Sequence, residues 1–444
     1  MSKIYLDHSA TTPVDKRVIK EMEPYWKDKF GNPTSVHKFG QKAVAGVDQA
    51  RKRVADFLNC RTDEVIFTSG ATESDNLVIQ GVIKALRKQE NKKTGPKNCM
   101  DLGPEDAAPK TDWKDWFRSA KRSAEKEEPL HIITTSIEHK AVLETCAEME
   151  GRDVEVTYLP VNEKGIIDPE ELKNSIKSNT VLVSVMYVNS EVGSVQPVKE
   201  VGKMIKKVNE HRFREWQKWG AKKKLPKPQK VYFHTDATQA LNFYNCDVQG
   251  LRADFLSLSA HKIYGPKGVG ALFIRQGSQL KPVQVGGGQE RGLRSGTLNS
   301  TGIVGLGKAV SLLTPDRQKE NNRRIAGLRD KLVQGIRDNI SDAHLTTDRK
   351  EATPSHAHFI FPGAEGEAVL IALDQEGVAV SVGSACSSRD VHPSHVLNAM
   401  GVEADKAKCA IRFTLGKKTT KKEINKVLEV LPGIIDRVRK MSKQ

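Results

Sequence analysis

The sequence predicts an α/β fold in which strands and helices alternate around a mostly parallel sheet. Three observations carry this. Short apolar runs at 65–68, 131–136, 180–189, 231–236 and 254–259 are separated by stretches with helical spacing. The 180–189 run, T-V-L-V-S-V-M-Y-V-N, has the composition of a strand covered on both faces. Thr72, His139, Asn189, Asp236 and Lys262 fall just past the carboxyl ends of these runs. In a parallel sheet those ends share one edge, where open α/β sheets place ligands.

Taken in order, residues 3–6 read as a short strand, 10–13 as a loop and about 15–26 as a helix. F-G-N-P-T-S-V-H (30–37) has the Gly, Asn and Pro of a loop. Val44, Val47, Val54 and Leu58 recur at roughly helical spacing over 38–58. The strand 65–68 runs through Ser69-Gly70 into a helix starting near Ala71. Unpaired N–H groups at such a start suit an anion, and Thr72 adds a hydroxyl, although many such turns bind nothing. Residues 87–130 break the pattern, with a short helix expected at about 112–124 that carries Trp113 and Trp116. After Pro197 a helix to about 212 precedes a basic insertion and the strand 231–236.

Beyond Lys262, V-G-G-G-Q-E-R-G-L-R-S-G-T-L-N (285–299) suits either close backbone approach and anion contact or a flexible exposed loop. Helix follows to about 340, then strands at 356–361 and 377–382. The loop G-S-A-C-S-S-R-D (383–390) leads on to a strand at 409–415 bearing Arg412, and an amphipathic helix from about 420 closes the chain.

With 444 residues, the chain is long enough for two or more domains. Hydrophobic residues at 38% and charged residues at 28% fit a soluble globular protein, and no apolar run reaches the ~18 residues of a membrane span. The N-terminus enters a strand pattern at once, which leaves no room for a signal peptide. Six separated cysteines without a C-x-x-C pair argue against disulfides and zinc and suit the cytoplasm. The net charge of +16 is uneven: eleven Lys and Arg lie between 203 and 230 against two Glu. That stretch reads as a solvated basic face, and direct nucleic-acid binding is not expected.

A lone lysine at a turn is ordinarily solvated. Lys262, however, stands in S-A-H-K-I-Y-G-P-K-G at a strand end, with Asp236 ending another strand. A fixed lysine can bond an aldehyde, and a neighbouring carboxylate can hold a pyridinium proton; pyridoxal phosphate chemistry needs both groups. His139, placed at the same edge, reads as a ring that stacks on a cofactor and moves a proton. Cys386 is flanked by Gly383, Ser384, Ser387 and Ser388, which suggests an exposed thiol on a polar loop able to act as nucleophile. Cys60, Cys146, Cys246 and Cys409 read as small buried hydrophobes.

Ten motifs in matching order resemble those of the pyridoxal-phosphate-dependent cysteine desulfurases, in the class V aminotransferase group. They are Y-L-D-H-S-A-T-T-P (5–13), F-G-N-P-T-S-V-H (30–37), T-S-G-A-T-E-S-D-N (68–76), S-I-E-H-K-A-V (136–142) and Y-V-N-S-E-V-G (187–193), followed by H-T-D-A-T-Q (234–239), S-A-H-K-I-Y-G-P-K-G (259–268), G-G-G-Q-E-R-G-L-R-S-G-T (286–297), G-S-A-C-S-S (383–388) and I-R-F-T-L-G (411–416). The resemblance implies the aspartate aminotransferase-like fold (fold type I): a large domain with a mostly parallel seven-stranded sheet, plus a smaller α+β domain. The large domain would span 15–299 with insertions at 87–130 and 211–230. Residues 1–14 and 300–444 would form the small one.

The resemblance also implies roles. Lys262 would be the Schiff-base lysine, Asp236 the partner of the pyridine nitrogen, Gln239 the donor to the ring hydroxyl and His139 the stacking imidazole. Gly70, Ala71, Thr72, Ser259 and His261 would surround the phosphate, with Thr297 contributed across a homodimer. Asn189 would sit at the cofactor and, with Arg412, hold the carboxylate of L-cysteine. Cys386 would take sulfur as a persulfide and pass it to an acceptor, such as an iron–sulfur scaffold or a tRNA-thiolation protein. A selenocysteine lyase or another class V aminotransferase is the alternative. The two insertions depart from the family pattern and fall at the amino ends of strands, away from the catalytic edge. Their tryptophan pairs, 113/116 and 216/219, suggest short helices docked on the body or on each other, or else two independent loops.

Overall fold

Seven strands make the central sheet of the computed structural model, which describes residues 3–90, 129–151, 153–222, 227–383 and 394–442. After a two-residue strand β1 (Ile4–Tyr5) come β2 (Val65–Thr68), β3 (Leu130–Thr135), β4 (Val154–Leu159), β5 (Thr180–Ser184), β6 (Tyr232–Asp236), β7 (Phe255–Ser259) and β8 (Gly270–Ile274). The sheet order is β2-β8-β7-β6-β5-β3-β4. Strand β8 runs antiparallel to both neighbours and every other pairing is parallel. The mostly parallel seven-stranded sheet is as expected, and six strand ends share one edge.

Alternation along each strand explains the layers. Phe67, Ile133, Val183, Phe233 and Leu256 enter one core, while their neighbours Ile66, Ile132, Leu182, Tyr232 and Phe255 enter another. Both faces are therefore apolar and covered by helices, which is why the strands read as continuous hydrophobic runs. The helix Lys38–Leu58 packs on Ser300–Ser311 on one side, and Ala71–Glu90 on Lys140–Met149 on the other.

A second core gathers Ile4, Leu6, Leu332, Phe359, Ile411, Phe413, Leu431 and Ile435. It lies beside a three-stranded antiparallel sheet of β9 (His344–Leu345), β10 (His356–Ile360) and, after β11 (Val378–Ala379), β12 (Ala410–Thr414). Strand β1 pairs with β11, so the N-terminus starts in this smaller body before crossing to the large sheet.

Several elements differ from expectation. The 180–189 strand stops at Ser184, because beyond it only single bonds continue the ladder, Val185 N–H to His234 O (3.1 Å) and Tyr187 N–H to Asp236 O (2.9 Å). Strands β4 and β8 were not anticipated: β4 is a half-exposed edge strand and β8 follows a glycine-rich turn. The helix after Pro197 runs on to Glu215 and a π-helical turn at Trp216–Gly220, so the second insertion begins as a helical extension. Trp216 stacks on Phe213 of the same extension (5.8 Å, 26°), while Trp219 is exposed. The helix expected at 112–124, Trp113, Trp116 and contact between the insertions lie outside the described residues. The 285–299 loop is pinned rather than free. Buried Glu290 accepts from Phe67 N–H (2.8 Å) and pairs with Arg51 (2.6 Å), and Arg294 pairs with Glu73 (2.8 Å). The charge of Arg294 is thus spent inside the protein.

Candidate active site

Five strand ends on the shared edge, those of β2, β3, β5, β6 and β7, lead into the polar residues expected there. At the end of β2, Ser69 N–H donates to Glu73 (2.7 Å), closing the first turn of the helix Ala71–Glu90. Gly70 lies against Gly270, where a Cβ would come within 2.7 Å of the Gly70 Cα. Across this glycine contact the Ser259 hydroxyl faces Gly70. Gly70, Ala71, Thr72 and Ser259 therefore meet at one helix start, where N–H groups and a positive dipole end favour an anion.

Asp236 ends β6, largely buried, and its Oδ1 accepts from Thr238 N–H (2.9 Å). His139 caps the helix Lys140–Met149 by accepting from Ala141 N–H at Nδ1 (3.1 Å). The neutral ring consequently carries its proton on Nε2. Burial lowers the His139 pKa, Asp236 opposes that shift and Lys262 adds to it, so all three groups share one field.

Lys262 sits on a 3-10 turn just past β7, and its ammonium donates to the carbonyl of Ser9 and to that of Ala10 (2.7 Å). Gln239 Nε2 donates to the same Ser9 carbonyl (3.0 Å). The Ser9 hydroxyl donates to Ser190 O (2.6 Å), and Ser190 O also accepts from Arg412 Nη1 (3.0 Å). Arg412, on β12, pairs with Asp7 (2.8 Å), and its buried Nε has no hydrogen-bond partner among the described residues. The N-terminal segment thus stitches the lysine to the arginine. Asp7, Ser9 and Ser190 were missed as site residues, although D-H-S and N-S-E stood inside motifs already singled out.

The remaining expected residues divide. His261 bonds Thr11 Oγ1 through Nδ1 (3.2 Å), and burial pushes it down to about 4, so it is neutral. Asn189 is buried, with Nδ2 on Ile137 O (2.9 Å) and Oδ1 accepting from Glu191 and Val192 N–H; in this structure it shapes the turn after β5. Thr297 is exposed just before the helix Ser300–Ser311. Cys386 lies outside the described residues, but the chain on either side of 384–393 reaches the site. Gly383 lies against Glu191, and His395 Nε2 donates to Glu138 O (2.9 Å) beside His139. Cys146, Cys246 and Cys409 are buried and Cys60 half-buried; burial pushes the first two and Cys60 to about 12, as small inert hydrophobes would be.

The family model "Aminotransferase class-V" matches residues 4–93, 117–212 and 220–427. The cysteine desulfurase IscS of Dictyoglomus turgidum is 40% identical over 440 residues, covering 99% of this chain and 96% of the relative. A solved NifS-like protein superposes with a TM-score of 0.79 at 33% identity, covering 98% of this chain and all of the other. SspA in complex with cysteine superposes at 0.69 with 32% identity, covering 94% of this chain and all of the other. With motifs, sheet order and strand-end groups in agreement across nearly its whole length, this chain belongs to the class V aminotransferase family.

Proposed function

We infer that this protein is a cysteine desulfurase that uses pyridoxal phosphate. The observation that carries the reading is the convergence of Lys262 and Gln239 on one carbonyl at the strand-end edge, which a chain of hydrogen bonds through Ser9 and Ser190 joins to Arg412. The residues fit the cofactor. Gly70, Ala71, Thr72 and Ser259 would cradle its phosphate, and the close glycine contact leaves that turn free of side-chain bulk. Asp236 has one oxygen fixed by Thr238, leaving the other to hold a proton on the ring nitrogen. Gln239 and His139 would bracket the ring. When bound, the cofactor supplies an aldehyde and a protonated ring that draws electrons from the carbon beside the substrate carboxylate.

The chain's own groups do the rest. Lys262 would hold the cofactor through its aldehyde, and its free amine would accept the Cα proton. Arg412 offers a planar fork to the carboxylate of L-cysteine, with Asp7 and Ser190 fixing its plane. His139, neutral with its proton on Nε2, can pass a proton at the ring face. Cys386 attacks the substrate sulfur, so that an S–S bond forms, the C–S bond breaks, and L-alanine and a persulfide result without an external oxidant. The persulfide serves an iron–sulfur scaffold or a tRNA-thiolation protein. The enzyme works as a homodimer in the cytoplasm, with Thr297 completing the neighbouring phosphate site, and the two bodies divide near residue 14 and past the helix Ser300–Ser311, which packs in the core of the large one rather than marking the expected boundary at 299. Among the described residues no helix is long and apolar enough to cross a membrane.

The test is sulfide and alanine release from L-cysteine, measured with a reductant beside the visible absorption of the bound cofactor. Wild-type protein should be yellow and active. Cys386→Ser should stay yellow and form no persulfide. Full sulfide release by Cys386→Ser, or a colourless wild type after incubation with pyridoxal phosphate, overturns the reading.

A further inference from the structure

Beneath the edge lies an ionisable pair for which the reaction has no use. Asp75, one turn into the helix Ala71–Glu90, and His234, two residues before Asp236 on β6, are both completely buried. Asp75 Oδ1 lies 3.5 Å from His234 Nε2. His234 is held from both sides, with Nδ1 2.8 Å from Ser184 Oγ on β5 and Nε2 3.0 Å from Ser257 Oγ on β7. Among the described residues neither carboxyl oxygen of Asp75 completes a well-aligned hydrogen bond, and its near partners are His234 and the Ser257 hydroxyl. A buried acid in this state is costly, and its persistence calls for a reason.

Its position supplies one. Asp75 stands three residues after Thr72, on the helix whose start would hold phosphate. His234 points to the same face of β6 as Asp236, because alternate residues share a face. We propose that Asp75 and His234, with Ser184 and Ser257, form a buried brace that sets the distance between the phosphate-binding helix start and the carboxylate beneath the pyridine ring. They are positioning residues, and the proposal rests on the cofactor reading above.

The electrostatics agree. The groups acting on Asp75 are Asp236 on β6, Glu138 after β3 and Ser257 on β7; burial is the largest influence and holds the carboxyl protonated well above the usual range, with Asp236 adding to it. Burial pushes His234 down to about 3, so the imidazole is neutral. A neutral brace leaves Asp236 without a second charge behind it.

Three variants test this: Asp75→Asn, Asp75→Ala and the milder Ser257→Ala. The readouts are the pyridoxal phosphate Kd of the apoprotein, the pH midpoint of the visible band and the thermal unfolding of the apoprotein. Asp75→Asn keeps a neutral hydrogen-bonding side chain and should stay within about twofold of wild type in Kd, with an unmoved midpoint. Asp75→Ala should weaken Kd about tenfold or more, and Ser257→Ala by less. Wild-type Kd in Asp75→Ala overturns the brace, as does a midpoint that moves in Asp75→Asn. If Asp75→Ala does not fold, Ser257→Ala decides, and an unchanged Kd there overturns the proposal. A wild type that takes up no cofactor is a failure of the cofactor reading instead.

Discussion

Arg412 shows how contacts fix a single side chain. Asp7 and Ser190 O hold its two Nη groups, so the plane of the guanidinium is set. Lysine cannot present that fork. Arg412→Lys should raise KM for L-cysteine about tenfold or more with a smaller change in kcat; steady-state kinetics with an unchanged KM would refute the assignment. Arg412 was legible as a lone arginine on a strand in a motif. Its partner Asp7 was not, because 405 residues separate them and a bridge between Asp7 and Thr414 of β12 brings them together.

At the scale of elements, two glycines of similar appearance should behave oppositely. In the helix Ser300–Ser311, a Cβ on Gly307 would stand 2.6 Å from Ala50 on Lys38–Leu58, so the two helices touch through their backbones. Gly307→Val should cost about 1–3 kcal/mol through overpacking. On the helix Pro315–Asn339, a Cβ on Gly327 meets nothing within 4 Å, and Gly327→Ala should gain roughly 0.5–1 kcal/mol. Urea unfolding of the two variants checks both signs. The helix Lys38–Leu58 could be read from its periodicity, with the bounds observed. The strand 180–189 was read too long, since an apolar run does not say where the neighbouring strand stops pairing. Strand β8 was missed because its ladder depends on β2 and β7 on either side.

For the whole molecule, buried histidines set the response to acid. Burial pushes His234, His356 and His358 to about 3 and His131 to about 4. Their ordinary value is near 6.5, so between these values the unfolded chain binds more protons than the folded one. Stability is therefore full above pH ~6.5 and falls as pH drops, by up to ~1.4 kcal/mol per pH unit for each histidine. Glu138 works the other way. Burial raises it to about 8, so its contribution is full below its unfolded value and lost as pH rises through 8. The urea midpoint should be highest near pH 6.5, much lower at pH 4.5 and slightly lower at pH 8.5. A midpoint that rises on acidification would contradict the neutral buried imidazoles.

The amino-acid order alone determined the alternation of strands and helices, the shared strand-end edge and the identity of its lysine, aspartate and histidine, because periodicity and strand-end position are local properties. Only the tertiary structure decided that the N-terminal segment, through Ser9 and Asp7, joins the lysine to the arginine. It likewise decided that Arg294 is spent on Glu73 and that an acid and an imidazole lie buried together behind Asp236. Those are long-range meetings, fixed when strands from distant parts of the chain pair and bury their polar groups against one another, and no local pattern encodes them.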